Sequence, residues 1–212
     1  MSTSPTMIDS VTLEVPDPAP AERFHAALGV SDRVRVRTGD DATNGFRGYT
    51  LSLVVGQPNT VDLFVGTALD AGATVLKPVA KSLWGYGGVV QAPDGAVWNF
   101  ATSSKKNTGP ATREIDDLVL LLGVDDVKAS KAFYLDHGFR TAKSFGGKYA
   151  EFEKAPGHIT LGLNKRKALA KNSGVAPEGG GSHRIVIHCD SEPFTDPDGF
   201  AWQTAARPSE IG

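Results

Sequence analysis

The chain has 212 residues, 40% hydrophobic residues and a formal net charge of −2, which supports a buried core in one large domain or two small ones. No cluster of Lys and Arg is interleaved with aromatics, which excludes a typical nucleic-acid-binding protein, and the single cysteine, Cys189, excludes an internal disulfide and a cysteine-based zinc site. No run of about 18 apolar residues occurs and residues 1–7 are polar, so we expect a cytoplasmic protein that contacts neither membranes nor nucleic acids.

The first half of the chain predicts strands and helices with clear ends. Residues 11–15 alternate apolar and polar side chains and stop at Pro16, which indicates a strand with one buried face. A short helix follows, with Pro20 near its start and Gly29 as its C-terminal stop. Further strands are predicted at residues 33–37, 49–55, 75–78, 88–91 and 96–102, a loop at 39–45, and an amphipathic helix at 60–72.

The second half of the chain repeats this pattern after a polar stretch, residues 104–112, that we interpret as a linker. The basic run at residues 165–167 is interpreted as a solvated loop or helix face. Strands are predicted at residues 115–120, around 148–153, around 158–163 and at 183–188, and a helix at 128–137.

A Pro-Asp-Gly turn at residues 93–95 returns at residues 197–199, each time followed by an apolar run. The offset between the copies is 107 residues at the first strand, 109 at the helix and 104 at this turn, which indicates an internal duplication. We therefore predict a first unit at residues 1–103 and a second unit at residues 113–208, which lacks the counterpart of the helix at 60–72.

Five short motifs, taken in order, carry a resemblance to a known family. They are Ile-Asp-Ser-Val-Thr-Leu-Glu-Val-Pro-Asp from residue 8, Ala-Glu-Arg-Phe ahead of Gly29, Ala-Gly-Ala-Thr-Val-Leu-Lys-Pro from residue 71, Trp-Gly-Tyr from residue 84, and the repeated Pro-Asp-Gly. The chain resembles the glyoxalase, bleomycin-resistance and ring-cleaving dioxygenase superfamily, the vicinal oxygen chelate proteins. The resemblance implies an α+β fold of tandem βαβββ modules, with mixed curved sheets around a concave cleft that binds a small ligand or substrate.

The resemblance also tells where a metal would bind. In metal-using members the ligands are a His early in the first strand and a Glu four residues after the Gly of Pro-Asp-Gly. These positions hold Ser10 and Asn99 in the first unit, and Asp117 and Gln203 in the second. Amide and hydroxyl oxygens are poor ligands for transition metals, so we predict no metal. The alternative is a divalent metal held by Asp117, His183 and Gln203.

Other candidate ligand residues follow from strand alternation and from composition. Ser10 and Glu14 share the cleft side of the first strand, where a carboxylate serves as a general base or binds a cation. Alternation also puts Asn99 in the cleft and Trp98 in the core. The remaining candidate ligand contacts are the aromatic residues Phe46, Tyr49, Trp84 and Tyr86.

Three functions are consistent with these residues. The first is metal-independent binding of a drug-like or planar metabolite, by a monomer or homodimer, as in drug-sequestering members of the family. The second is a metal-dependent lyase, isomerase or dioxygenase that uses the second unit. The third is a metal-free enzyme with Glu14 as base and with amides that donate hydrogen bonds to a developing oxyanion.

Overall fold

A computed structural model describes residues 4–206, so part of the N-terminal stretch 1–7 and the outer ends of both predicted units lie outside the described residues. The helices are α1 Pro18–Leu28, α2 Pro58–Asp70, α3 Val127–Asp136 and α4 Arg166–Ser173. The strands are β1 Ile8–Val15, β2 Val34–Thr38, β3 Thr43–Gly45, β4 Tyr49–Val54, β5 Thr74–Ser82, β6 Gly85–Gln91, β7 Val97–Thr102, β8 Asp117–Val124, β9 Thr141–Phe145, β10 Tyr149–Phe152, β11 Thr160–Lys165, β12 Gly179–Gly181, β13 Ile185–Cys189, β14 Phe194–Thr195 and β15 Ala201–Thr204.

Local capping explains where the first and third helices begin and end. Asp17 precedes α1 and accepts a hydrogen bond from the Ala19 backbone N–H, and Gly29 ends α1 in the left-handed conformation with φ of 74°. Asp126 caps α3 in the same way. The predicted stop at Gly29 is therefore confirmed. Within residues 4–206 no helix has the length and hydrophobicity needed to span a membrane.

The sheets are built from both halves of the chain. A five-stranded sheet has the order β14-β15-β13-β1-β2, and an eight-stranded sheet has the order β5-β6-β7-β4-β8-β11-β10-β9. The halves meet where β1 pairs with β13 and where β4 pairs with β8, both antiparallel. A third, two-stranded sheet joins β3 and β12. The α+β class is confirmed, and each large sheet contains strands from both predicted units.

Asn99 and Gln203, the amides that follow the two Pro-Asp-Gly turns, each lie in a row of directly paired residues on neighbouring strands. In the five-stranded sheet this row contains Ser10, His188 and Gln203. In the eight-stranded sheet it contains Val119, Ser52 and Asn99. Ser10 therefore corresponds to Val119, at the same offset as the helices, and the sequence alignment of Ser10 with Asp117 is wrong by two residues.

The repeated tryptophans lie in the core, as alternation predicts. Trp98 and Trp202 are buried, and each packs against the helix at the start of its own unit. The His25 ring of α1 lies 5.8 Å from the Trp98 ring, and the Tyr134 ring at the corresponding position of α3 lies 5.4 Å from the Trp202 ring. This equivalence shows that the duplication is preserved in the packing as well as in the sequence.

The predicted linker contains no helix or strand, but it is fixed to the start of α2. The buried side chain of Gln57 donates to the carbonyl oxygen of Pro110 at 2.7 Å and accepts from the Thr108 backbone N–H at 2.8 Å. Asn59 also donates to the Gly109 carbonyl oxygen at 2.9 Å. These hydrogen bonds satisfy backbone groups that a freely moving linker would leave to water.

Candidate functional site

The eight-stranded sheet has one face turned to the core and one face that forms a cleft. Strand alternation divides the residues of β7 between them, so that Trp98 is buried in the core and Asn99 lies on the cleft face. Asn99 donates a hydrogen bond from Nδ2 to Ser52 Oγ at 3.2 Å. The pairing of β4 with β7 and β8 places further residues on this face. They are Thr50, Ser52, Val97, Val119 and Leu121.

Helix α4 lies across this cleft. Leu169 and Ala170 are buried against Phe46, with Leu121 of the sheet at the edge of the same cluster. Sequence alone did not predict this helix, because its flanks are basic and Leu169 is its one large apolar residue. One sequence feature could have predicted the helix: its buried residues, Leu169, Ala170 and Ser173, share one helical face just before Gly174, which ends the helix in the left-handed conformation.

Two cavities flank the C-terminal end of α4. The first has a volume of about 340 Å³, and its walls include Phe46, Tyr49, Gln91, Val97 and Val175. The second has a volume of about 300 Å³, and its walls include Lys77, Trp84, Tyr86, Asn99 and Asn172. The predicted aromatic contacts therefore divide into two pairs, one in each cavity.

The first cavity has aromatic walls and a basic group at one end. Phe46 and Tyr49 are almost fully buried, and burial raises the pKa of the Tyr49 phenol, which keeps it neutral at physiological pH. The Arg47 guanidinium donates from Nη2 to the Asp94 carbonyl oxygen at 2.5 Å. Glu178 is exposed at the rim. The buried part of the cavity is therefore suited to an apolar, planar body.

The second cavity is more open and has an exposed aromatic residue at its rim. Trp84 is 84% exposed at the turn between β5 and β6. The Tyr86 hydroxyl donates to Asp62 Oδ1 at 2.7 Å, and this hydrogen bond is the main cause of the raised pKa of Tyr86. Asn99 forms the floor on the sheet side.

Solved structures with the same architecture support the resemblance. Glyoxalase I from Zea mays is similar with a TM-score of 0.60 and 14% identity, over 93% of this chain and 91% of that chain. A putative dioxygenase from Bacillus subtilis subsp. subtilis str. 168 is similar with a TM-score of 0.52 and 14% identity, over 88% of this chain and 71% of that chain. The chain has the vicinal oxygen chelate fold. Neither a family model nor a curated protein matches the sequence.

Within this fold the five-stranded sheet holds a separate, polar cavity of about 480 Å³. Glu14 and Gln203 are in its wall, and the Glu14 carboxylate accepts from Arg37 Nε at 3.0 Å. The Arg37 side chain remains 47% exposed in this ion pair. The role of Glu14 as a general base stays a prediction.

Next to this cavity, Ser10 and His188 occupy the same row of the five-stranded sheet. Ser10 is fully buried, and within the described residues its hydroxyl has no hydrogen-bond partner. His188 Nε2 lies 2.8 Å from the Thr12 hydroxyl, and burial, followed by the charges of Arg35 and Arg37, lowers the pKa of His188. The imidazole is therefore neutral at physiological pH.

Asp117 lies on the cleft side of β8 but is already bound by neighbouring side chains. Lys154 forms an ion pair with its carboxylate, and the Thr160 hydroxyl donates to both carboxylate oxygens, at 2.8 and 3.0 Å.

The ligand residues predicted from sequence thus lie in several different places. Phe46 and Tyr49 line the first cavity, Trp84, Tyr86 and Asn99 the second, Glu14 and Gln203 the polar one, while Ser10 and Asp117 line none of these.

The alternative metal set of Asp117, His183 and Gln203 does not come together. Asp117 belongs to the eight-stranded sheet and Gln203 to the five-stranded sheet. His183 Nδ1 lies 2.5 Å from the Arg47 carbonyl oxygen and Nε2 lies 3.0 Å from the Asp198 carbonyl oxygen, so neither nitrogen is free for a metal. Within residues 4–206, no three His, Cys, Asp or Glu side chains are grouped to hold a metal ion. These residues do not fit the metal site of the fold.

Proposed function

We propose that the protein binds a planar small molecule without a metal, and sequesters it in the cleft of the eight-stranded sheet. The observation that carries this proposal is the first cavity, whose volume of about 340 Å³ and aromatic walls match those of small-molecule sites. Phe46 and Tyr49 offer apolar ring surface, and Gln91 adds a neutral polar group that can orient a ligand.

The polar groups of the cleft support binding rather than metal chemistry. Asn99 and Ser52, which occupy equivalent places to Gln203 and His188, are hydrogen bonded to each other. Neither carries a charge, and a hard divalent cation is held chiefly by charged oxygen ligands. The similarity to glyoxalase I from Zea mays supports the position of the cleft but carries no activity to this chain.

A thermal-shift screen with uncharged, cationic and anionic planar compounds tests this proposal. A ligand at 100 times its dissociation constant stabilises the folded state by about 2.7 kcal/mol, which raises the melting temperature measurably. Val97→Phe narrows the first cavity and should remove the shift. Val186→Phe places the same change in the polar cavity of the other sheet and should retain it. The proposal is wrong if no compound shifts the melting temperature, or if only Val186→Phe removes the shift.

A further inference from the structure

The two cavities beside α4 share one floor. Val97 and Asn99 are two residues apart on β7, so their side chains project from the same face of the sheet. Val97 lines the first cavity and Asn99 lines the second. At the end of α4, Asn172 faces the second cavity and Val175 faces the first. The cavities are therefore two ends of one cleft, divided by the C-terminal end of α4.

The interface between α4 and the sheet contains buried hydroxyl groups that lack hydrogen bonds among the described residues. Thr50 on the sheet and Ser173 on α4 are fully buried, and among the described residues their hydroxyl groups have no hydrogen-bond partner. A buried polar group without a partner disfavours the conformation that buries it. Lys165 at the start of α4 provides no side-chain cap, so the helix depends on its attachments rather than on its own stability.

The two ends of α4 are attached differently. At the N-terminal end, Arg166 donates to the carbonyl oxygens of Phe46 and Pro177 and lies over the Phe46 ring. At the C-terminal end, the side-chain hydrogen bonds that the described residues make to the helix come from one exposed side chain, Lys77, whose Nζ donates to the carbonyl oxygens of Lys171 and Asn172 at 2.9 and 2.8 Å. Beyond it, Gly174 has φ of 75°. The C-terminal end is thus the end that can lift.

The face beneath α4 carries polar groups but no charge. Its residues are Thr50, Ser52, Val97, Asn99 and Leu121. Of the nearby cations, Lys77 is bound to α4, whereas Arg47 donates from Nη2 to the Asp94 carbonyl oxygen and its buried Nη1 has no partner among the described residues. A cationic ligand would lose its hydration on this uncharged face, whereas an uncharged ligand with carbonyl or hydroxyl groups would satisfy Thr50, Asn99 and the unpartnered Nη1 of Arg47.

We infer that α4 is a movable cover on a single cleft, and that the ligand is an uncharged planar molecule with hydrogen-bonding groups, which enters when the Lys77 end of α4 lifts. This inference rests on the proposed function, since it names the ligand class and the entry route for the same site.

Three variants test the inference, with Nile red as an uncharged planar probe and anilinonaphthalene sulfonate as an anionic one. Lys77→Met removes the attachment at the C-terminal end of α4. It should raise both the hydrogen exchange of residues 166–176 and the association rate of Nile red, by about tenfold for a change of 1.4 kcal/mol. Ser173→Ala removes the unpartnered hydroxyl of α4 itself, which is not among the proposed ligand contacts, and should slow both processes. Lys105→Met removes a charge from the linker and should change neither.

The outcomes separate the inference from the proposed function. If wild type and Lys77→Met bind Nile red at equal rates, α4 is not the entry route, but binding in the cleft stands. Tighter binding of the anionic dye than of Nile red overturns the ligand class. If neither dye binds wild type or Lys77→Met, the proposed function itself fails. Protection by Nile red of β1 and β13, rather than of β4 and β7, overturns the location.

Discussion

Arg47 and His183 are equivalent residues in the two halves, and each binds the carbonyl oxygen of the aspartate in a Pro-Asp-Gly turn. Arg47 Nη2 donates to Asp94 O, and His183 Nε2 contacts Asp198 O. Both residues stand four positions before the residue that pairs with a repeated tryptophan. His183 Nδ1 also contacts the carbonyl oxygen of Arg47 itself. The two turns are therefore joined through this pair.

We expect His183→Leu to destabilise the protein because it removes both of these contacts. His183 also stacks on Phe200, with ring centroids 3.8 Å apart. The free energy of unfolding should fall by about 2 kcal/mol, measured by urea denaturation, since one N–H···O hydrogen bond contributes about 1 kcal/mol and the ring stack about 1 kcal/mol more. His158→Leu, at an exposed position, is the control and should cause little change. An unchanged midpoint for His183→Leu would show that the pair does not stabilise the fold.

His25→Phe should stabilise the protein, because His25 is a buried residue without a partner. Its counterpart in the second unit is Tyr134, whose hydroxyl donates to Asp196, but the counterpart of Asp196 in the first unit is Ala92. Among the described residues, neither ring nitrogen of His25 has a hydrogen-bond partner. We expect the free energy of unfolding at pH 7.5 to rise by about 1 kcal/mol. A decrease would show that a buried water satisfies the ring.

The same variant should reduce the acid sensitivity of the protein. Burial lowers the pKa of His25 below its ordinary value of 6.5, so the folded state favours the neutral ring. Its contribution to stability is present above pH 6.5 and is lost as the pH falls through the lowered pKa. Urea denaturation at pH 7.5 and pH 5 should show a smaller loss for His25→Phe than for wild type. Part of the loss should remain, because the pKa of His188 is lowered too.

Asp196→Asn should change the pH dependence of the free energy of unfolding in the direction opposite to that of His25→Phe. Burial raises the pKa of Asp196 above 3.8, so the folded state favours the protonated carboxyl. The associated stability is present below pH 3.8 and is lost as the pH rises through the raised pKa. An amide does not titrate, so the variant should lose less stability than wild type between pH 3.5 and pH 7, measured by urea denaturation. Parallel curves for the two proteins would contradict this assignment.

Protein purified without a chelator should contain less than stoichiometric metal, and EDTA should leave its melting temperature unchanged. The reason is that His183 would have to abandon two backbone carbonyl oxygens before it could bind an ion. Elemental analysis by mass spectrometry measures the content. Stoichiometric zinc, nickel, iron or manganese that is lost in His183→Ala would overturn the proposed function.

Strand alternation and turn chemistry predicted much of the fold. The burial of Trp98 and the helix stop at Gly29 follow from neighbours in sequence, and the structure confirms both. The site was less predictable. Asn99 and Gln203 occupy the same position in the repeat, but one lies in the eight-stranded sheet and the other in the five-stranded sheet. Which strands pair depends on contacts between residues far apart in the chain, such as Ser10 with His188 and Leu51 with Leu120, which no local pattern encodes.

The sequence by itself predicted most of the strands and helices, the duplication, and the amides Asn99 and Gln203 four residues after each Pro-Asp-Gly glycine, because these depend on residue type and short spacing. Only the tertiary structure decided that β1 joins β13 and β4 joins β8, and that α4 divides the cleft. Helix α4 has few apolar residues, so its position depends on contacts with distant parts of the chain, among them Phe46 and Lys77. A local sequence pattern therefore does not determine where this helix lies.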